Sequence, residues 1–165
     1  MKTLLILRHA KSSWKHTDRR DFDRPLNTRG KRDAPRIGTH LRTENLMPDL
    51  ILTSAARRTR KTAKKVAKRC GYTQKIEKLD QLYDATLGTY LHTLSRLPNR
   101  VERPLVIGHN PTLEQLVYHL TNRNEIMPTA ALAQVHLPIQ RWKDLDSHTE
   151  GTLIALWTPK TLPGH

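Results

Sequence analysis

The sequence predicts an α/β fold: a single three-layer α/β/α domain over residues 1–165, with a mostly parallel central sheet flanked by helices. Three observations predict it. Short apolar runs alternate along the chain with longer amphipathic stretches, the order of a layered α/β protein. The runs Thr3–Leu7, Leu50–Thr53 and Leu105–Ile107 are nearly continuous in Leu and Ile, as in strands covered on both faces. The 165 residues favour one domain, and a domain of that size buries roughly 70% of the surface its unfolded chain exposes.

Taken in order, Thr3–Leu7 is the first strand, and a helix is expected from Arg32 to about Thr43. Pro35 argues for a start close to it, because proline is comfortable only in a first turn. Leu50–Thr53 is the second strand. In Ala56–Cys70, residues Thr59, Ala63, Val66, Ala67 and Cys70 recur at helical spacing, and Gly71 ends that helix. Lys75–Leu79 is a further strand and Thr89–Leu97 a short helix. After Leu105–Ile107, the positions Leu113, Leu116, Val117 and Leu120 again repeat at helical spacing. Asn110 is expected as the N-cap of that helix, with Pro111 at its first position. Ala131–Leu137 and Thr152–Trp157 are the last strands. There is no internal repeat, linker or low-complexity stretch.

Composition bounds the function. No apolar run is long enough for a membrane span or a signal segment. Cys70 is the only cysteine, so no intrachain disulfide forms; together these predict a soluble, cytoplasmic protein without membrane association. The nine histidines show no tight ligand spacing, so no metal and no cofactor are expected. The formal net charge of +14 fits phosphorylated or acidic substrates, an acidic protein partner, or nucleic acid. The last lacks both a recognised binding motif and base-stacking aromatics.

Four side chains fall at the carboxyl ends of predicted strands, where open α/β sheets bind ligands. Arg8 and His9 follow the first strand, His109 follows Leu105–Ile107 and Gly108, and Arg57 lies just past Thr53-Ser54. A lone histidine after a strand is usually structural, and a lone arginine at a helix start is usually a solvated charge. The conjunction is different: arginine forks and helix N-termini together make a phosphate pocket. The remaining cations of the second helix, Arg58, Arg60, Lys61, Lys64, Lys65, Lys68 and Arg69, fit a solvated face, and Cys70 fits the core.

Leu7-Arg8-His9-Ala10 resembles the Arg-His-Gly signature of histidine phosphatases. Ser54-Ala55-Ala56-Arg57 with Thr62-Ala63 resembles their second arginine motif, and Gly108-His109-Asn110-Pro111 their second histidine motif. Phe22 to Gly30 resembles the segment before their first long helix. The match in order and spacing covers roughly residues 2–120. The short chain and the start Arg8-His9-Ala10-Lys11-Ser12-Ser13-Trp14 are most similar to the SixA-type branch. Alanine at position 10 departs from the glycine of most of the superfamily. Leu82-Tyr83-Asp84 with Gly88 resembles the segment in which phosphoglycerate mutases carry a glutamate proton donor.

The resemblance implies a phosphoglycerate-mutase-like fold and a phosphatase acting through a phosphohistidine enzyme intermediate. His9 is then the nucleophile, neutral at one ring nitrogen and held by a carbonyl at the other. Arg8, Arg57 and His109 would surround the phosphoryl oxygens, Ser12 or Ser13 would add a hydroxyl, and Asp84 would be the proton donor, with Asp21 as its alternative. The implied substrate is a protein phosphohistidine, such as one on a histidine phosphotransfer domain. The alternatives are a small-molecule phosphomonoesterase of the same superfamily, a basic nucleic-acid-binding module without catalysis, and an inactive phosphate-binding scaffold.

Overall fold

Residues 1–15 and 18–163 are described by the computed structural model. Six strands form one sheet: β1 (Lys2–Arg8), β2 (Leu50–Ser54), β3 (Ile76–Leu79), β4 (Pro104–Gly108), β5 (Leu132–Leu137) and β6 (Thr152–Trp157). Their order is β3-β2-β4-β1-β5-β6. The first four strands in that order run parallel; β5 pairs antiparallel with β1, and β6 pairs antiparallel with β5, so that β5 alone is reversed.

Alternation within the continuous apolar runs fills two cores. Leu5 and Leu7 of β1, with Ile51, Leu105 and Ile107, pack under α1 (Thr28–Thr43) and α2 (Arg57–Cys70). Leu4 and Ile6, with Leu52 and Val106, pack on the other face under α3 (Leu87–Ser95) and α4 (Thr112–Thr121). Trp142 is fully buried in that second core, its indole N–H donating to the Val101 carbonyl. The three layers and the mostly parallel sheet are those expected. Among the described residues no helix is long and apolar enough to cross a membrane.

The starts of α1, α3 and α4 differ from expectation; α3 begins at Leu87, two residues before Thr89, because the Thr86 side chain accepts from the Thr89 amide. α1 begins at Thr28, four residues before Arg32, because the Asn27 side chain accepts from the Gly30 amide at 2.9 Å. Pro35 therefore lies inside the helix. α4 is not capped by Asn110, whose side chain instead donates to the Met127 carbonyl at 2.8 Å. Pro111 occupies the cap position without a side-chain cap bond. Gly71 ends α2 in the left-handed region, at φ 86°, as the sequence led one to expect.

Candidate active site

The strand order places β4 between β2 and β1. Arg8 stands opposite Gly108 in one register and Thr53 opposite Ile107 in the other. The residues leaving these three strands therefore meet at one edge of the sheet. His9 and His109 are brought there with ring centroids 5.4 Å apart.

His9 is held on both sides of the next peptide. Its Nδ1–H donates to the Ala10 carbonyl at 2.8 Å, and the Ala10 amide donates to Thr62 Oγ1 on α2 at 3.0 Å. A carbonyl only accepts, so Nδ1 carries the proton and Nε2 keeps its lone pair. His9 is almost fully buried. That burial, helped by the charges of Arg58 and Arg8 and opposed by the Ala10 bond, pushes its pKa down to about 3.

His109 is neutral for the same first reason. Burial and then Arg58 lower it to about 4, against the pull of Asp21. Its Nε2 lies 2.8 Å from Ser54 Oγ and its Nδ1 3.4 Å from Arg58 Nη2. Arg58 can only donate, so Nδ1 accepts and Nε2–H points to Ser54.

The second-helix arginine of the pocket is Arg58 rather than Arg57, which corrects the sequence-based assignment. Arg58 is buried and reaches the Asp21 carbonyl at 2.7 Å and the Asp21 carboxylate at 3.0 Å. It lies four residues before Thr62, on the helix face that meets the segment after β1. Arg57, one position earlier, turns by about 100° and lies with Pro25, Leu26 and Lys31 outside the pocket.

Asp21, expected only as an alternative to Asp84, and Tyr83, for which no role of its own was expected, complete the cluster. Asp21 accepts from Arg24, Arg58 and the Tyr83 hydroxyl. Burial works to raise the Asp21 carboxyl, but those donors outweigh it and hold it at about 2. Tyr83 packs edge-on against both Phe22 and His109. Asp21, Arg58, Tyr83, Asp84 and His109 line a cavity of about 350 Å³, with Asn110, Pro111 and Thr112 across from them. Asp84 sits on its exposed rim with a left-handed φ of 53°.

Ser12 and Ser13, expected as hydroxyl donors to phosphate, each accept a hydrogen bond from within the segment between β1 and α1. Arg24 donates to the Ser12 hydroxyl, and Ser13 Oγ accepts from the Lys15 amide. Both serve the loop after β1. The sequence signals that could have found Arg58 and Asp21 are the Arg58–Thr62 spacing and the Asp21–Arg24 pair one turn apart.

The buried guanidinium Nε atoms of Arg8 and Arg58 have no hydrogen-bond partner among the described residues. Buried cationic donors left unmatched beside two neutral imidazoles suit an anion such as a phosphoryl group. Among the described residues no cluster of three or more His, Cys, Asp or Glu could hold a metal ion.

Comparison with known proteins agrees with this geometry. The structure of the protein histidine phosphatase SixA complexed with tungstate superposes with a TM-score of 0.83 at 25% identity, covering 97% of this chain and 99% of that one. A chain from Agrobacterium tumefaciens, assigned as a candidate phosphohistidine phosphatase SixA, gives 0.82 at 28% identity, covering 96% and 98%. An uncharacterised chloroplast protein of Arabidopsis thaliana is 46% identical over 63 residues, 38% of this chain and only 29% of that protein. An uncharacterised protein of Mycobacterium tuberculosis is 30% identical over 151 residues, 85% of this chain and 92% of its own length. Residues 4–96 match the sequence model of the histidine phosphatase superfamily (branch 1). With more than half its length under that match, and a relative aligned along nearly all of its own, this chain belongs to the histidine phosphatase superfamily.

Proposed function

We propose that the chain is a phosphatase that takes a phosphoryl group onto His9 and passes it to water, with a protein phosphohistidine as substrate. The observation that carries this reading is the state of His9. Its proton is committed to the Ala10 carbonyl and its burial excludes the imidazolium, so a lone pair is available at Nε2 across the acidic and neutral range.

In the first step His9 Nε2 forms a bond to phosphorus and the bond from phosphorus to the substrate nitrogen breaks. The departing imidazole takes a proton from solvent and leaves neutral. In the second step water attacks phosphorus, the bond from phosphorus to His9 Nε2 breaks, a proton passes to solvent, orthophosphate departs and His9 regains its lone pair. Arg8, Arg58 and His109 act on the phosphoryl oxygens in both steps. Asp84, on the rim, is the proposed proton donor for substrates with poorer leaving groups. Asp21 is not, because a carboxyl held at about 2 is ionised wherever the enzyme would work.

Tungstate bound to a SixA relative supports oxyanion chemistry on this fold. The same likeness is what favours protein phosphohistidine over a small phosphomonoester. We place the activity in the cytoplasm, over the single domain 1–165, with neither metal nor organic cofactor in the steps above.

The test is turnover of a phosphohistidine peptide beside a panel of alkyl phosphates, by the wild type and by His9→Ala. The wild type should favour the phosphohistidine peptide, yield an acid-labile phospho-His9 on quenching, and lose all activity in His9→Ala. Faster turnover of an alkyl phosphate would move the substrate to small phosphomonoesters, and an active His9→Ala would end the mechanism. Asp84→Asn, run on the same pair, should slow the alkyl phosphate far more than the phosphohistidine.

A further inference from the structure

Beside the pocket runs a groove of about 270 Å³, lined by Pro25, Leu26, Lys31, Arg57, Lys61 and Lys65. The groove shares no lining residue with the pocket but is tied to it through two segments. Leu26 pairs with Ser12, three residues past His9, and Arg57 directly precedes Arg58 on α2.

Its four cations are uncompensated. None has an ion-pair partner among the described residues, whereas Arg24, Arg29, Arg32, Arg36 and Arg58 nearby all pair with Asp21 or Asp33. Arg57, Lys61 and Lys65 follow one another four residues apart, a like-charge spacing that opposes the helix. A ligand with opposite charge would relieve that repulsion.

Shape and charge limit the occupant. Residues 57 to 65 span about 12 Å along α2, at about 1.5 Å per residue. That is room for about four residues of extended chain. Pro25 and Leu26 are its apolar lining, and none of its lining residues is aromatic. Next to Pro25 the Arg24 guanidinium lies 3.2 Å from the ring centroid of Trp14, which is 70% exposed. Tryptophan and arginine are enriched in protein-binding surfaces.

We propose that this groove docks an acidic segment of the protein substrate, whose Asp and Glu carboxylates beside the phosphorylated residue pair with Lys31, Arg57, Lys61 and Lys65. The proposal rests on the protein-phosphohistidine reading above. The +14 net charge adds long-range steering of such a partner toward the pocket.

The experiment compares two phosphohistidine peptides, one with Asp and Glu beside the phosphorylated residue and one with Asn and Gln there. Each is given to the full chain and to Lys61→Glu/Lys65→Glu, whose positions lie on the surface of α2 away from the pocket. The wild type should favour the acidic peptide about tenfold in kcat/KM, through KM, as expected from a few surface ion pairs. The preference should fade near 0.5 M salt, where the Debye length is only about 4 Å. The variant should lose the preference, turning over the acidic and the neutral peptide with similar kcat/KM.

A second arm measures fluorescence anisotropy of the labelled acidic peptide without its phosphoryl group. It should bind the wild type about tenfold more tightly than the variant. Equal binding of acidic and neutral peptides, or binding kept by the variant, would overturn the proposal. So would a single-stranded oligonucleotide of equal charge that binds more tightly than the acidic peptide and is lost in the same variant. This arm needs no turnover. If neither phosphopeptide is hydrolysed, the substrate reading fails, and the groove is still decided by binding.

Discussion

Arg58 joins the three parts of the pocket, donating to Asp21 and lying 3.4 Å from His109 Nδ1. Arg58→Ala should cost turnover on the order of 10²-fold or more, as for loss of one donor to a developing oxyanion. Arg57→Ala should change turnover of an aryl phosphate by less than about threefold, because a side chain outside the pocket contributes little to the same oxyanion. Steady-state rates of both variants on one aryl phosphate check this, and equal losses would return the role to Arg57. The helical repeat alone did not separate the two. The inward positions Thr59, Ala63, Val66, Ala67 and Cys70 leave residues 57 and 58 on opposite flanks of the stripe, at similar angles from its centre. Thr62 decides it, by bonding the segment after β1 and setting the face that Arg58 shares. His9 and His109 were legible because a strand end fixes where the next side chain goes. Asp21 was harder to see, since its role comes from contacts with residues 37 and 62 positions away.

Among the elements, β4 and α3 meet where Gly108 gives way to Tyr90. A Cβ on Gly108 would collide with the Tyr90 hydroxyl, which is buried and raised to about 12 by that burial. Gly108→Ala should therefore destabilise the chain by about 1–3 kcal/mol, the usual cost of overpacking. Tyr90→Phe on top of it should recover part of that loss by removing the atom in conflict. Denaturant midpoints of the two single variants and the double variant check it, and an unrescued double variant would show that the ring itself is in conflict. The strands were legible because runs covered on both faces are almost purely apolar. Helix starts were less so. Asn27 and Asn110 look alike in sequence, yet one caps a helix and the other spends its amide on Met127. Only the tertiary position of Met127 tells them apart.

Across the whole molecule, two neutral histidines, His9 buried and His109 half-buried, tie folding to pH. The folded pKa values of His9 and His109 are about 3 and about 4, below the usual 6.5. An unfolded chain therefore takes up protons near pH 6.5 that the folded chain refuses until about pH 4 and then 3. Stability should be full above pH 7 and fall as pH drops through 6.5 toward 4. Asp21, depressed to about 2, loses its contribution only below its usual 3.8. Thermal midpoints between pH 7 and 4 should fall, and His9→Gln/His109→Gln should flatten the slope. His40, also lowered by burial, leaves a residue of it. An unchanged slope in the double variant would place the titration elsewhere.

The adjacency of Arg57 and Arg58 on α2 has a consequence for how such proteins diversify. Two neighbouring codons address two separate tasks, one facing the reacting atoms and one facing the groove. On the docking proposed above, substitutions along the outward stripe of Arg57, Lys61 and Lys65 would change which segment the groove accepts while Arg58 keeps its place in the pocket. An insertion or deletion of one residue in the turn Ser54-Ala55-Ala56 would have the opposite result, rotating the whole helix and forfeiting both at once.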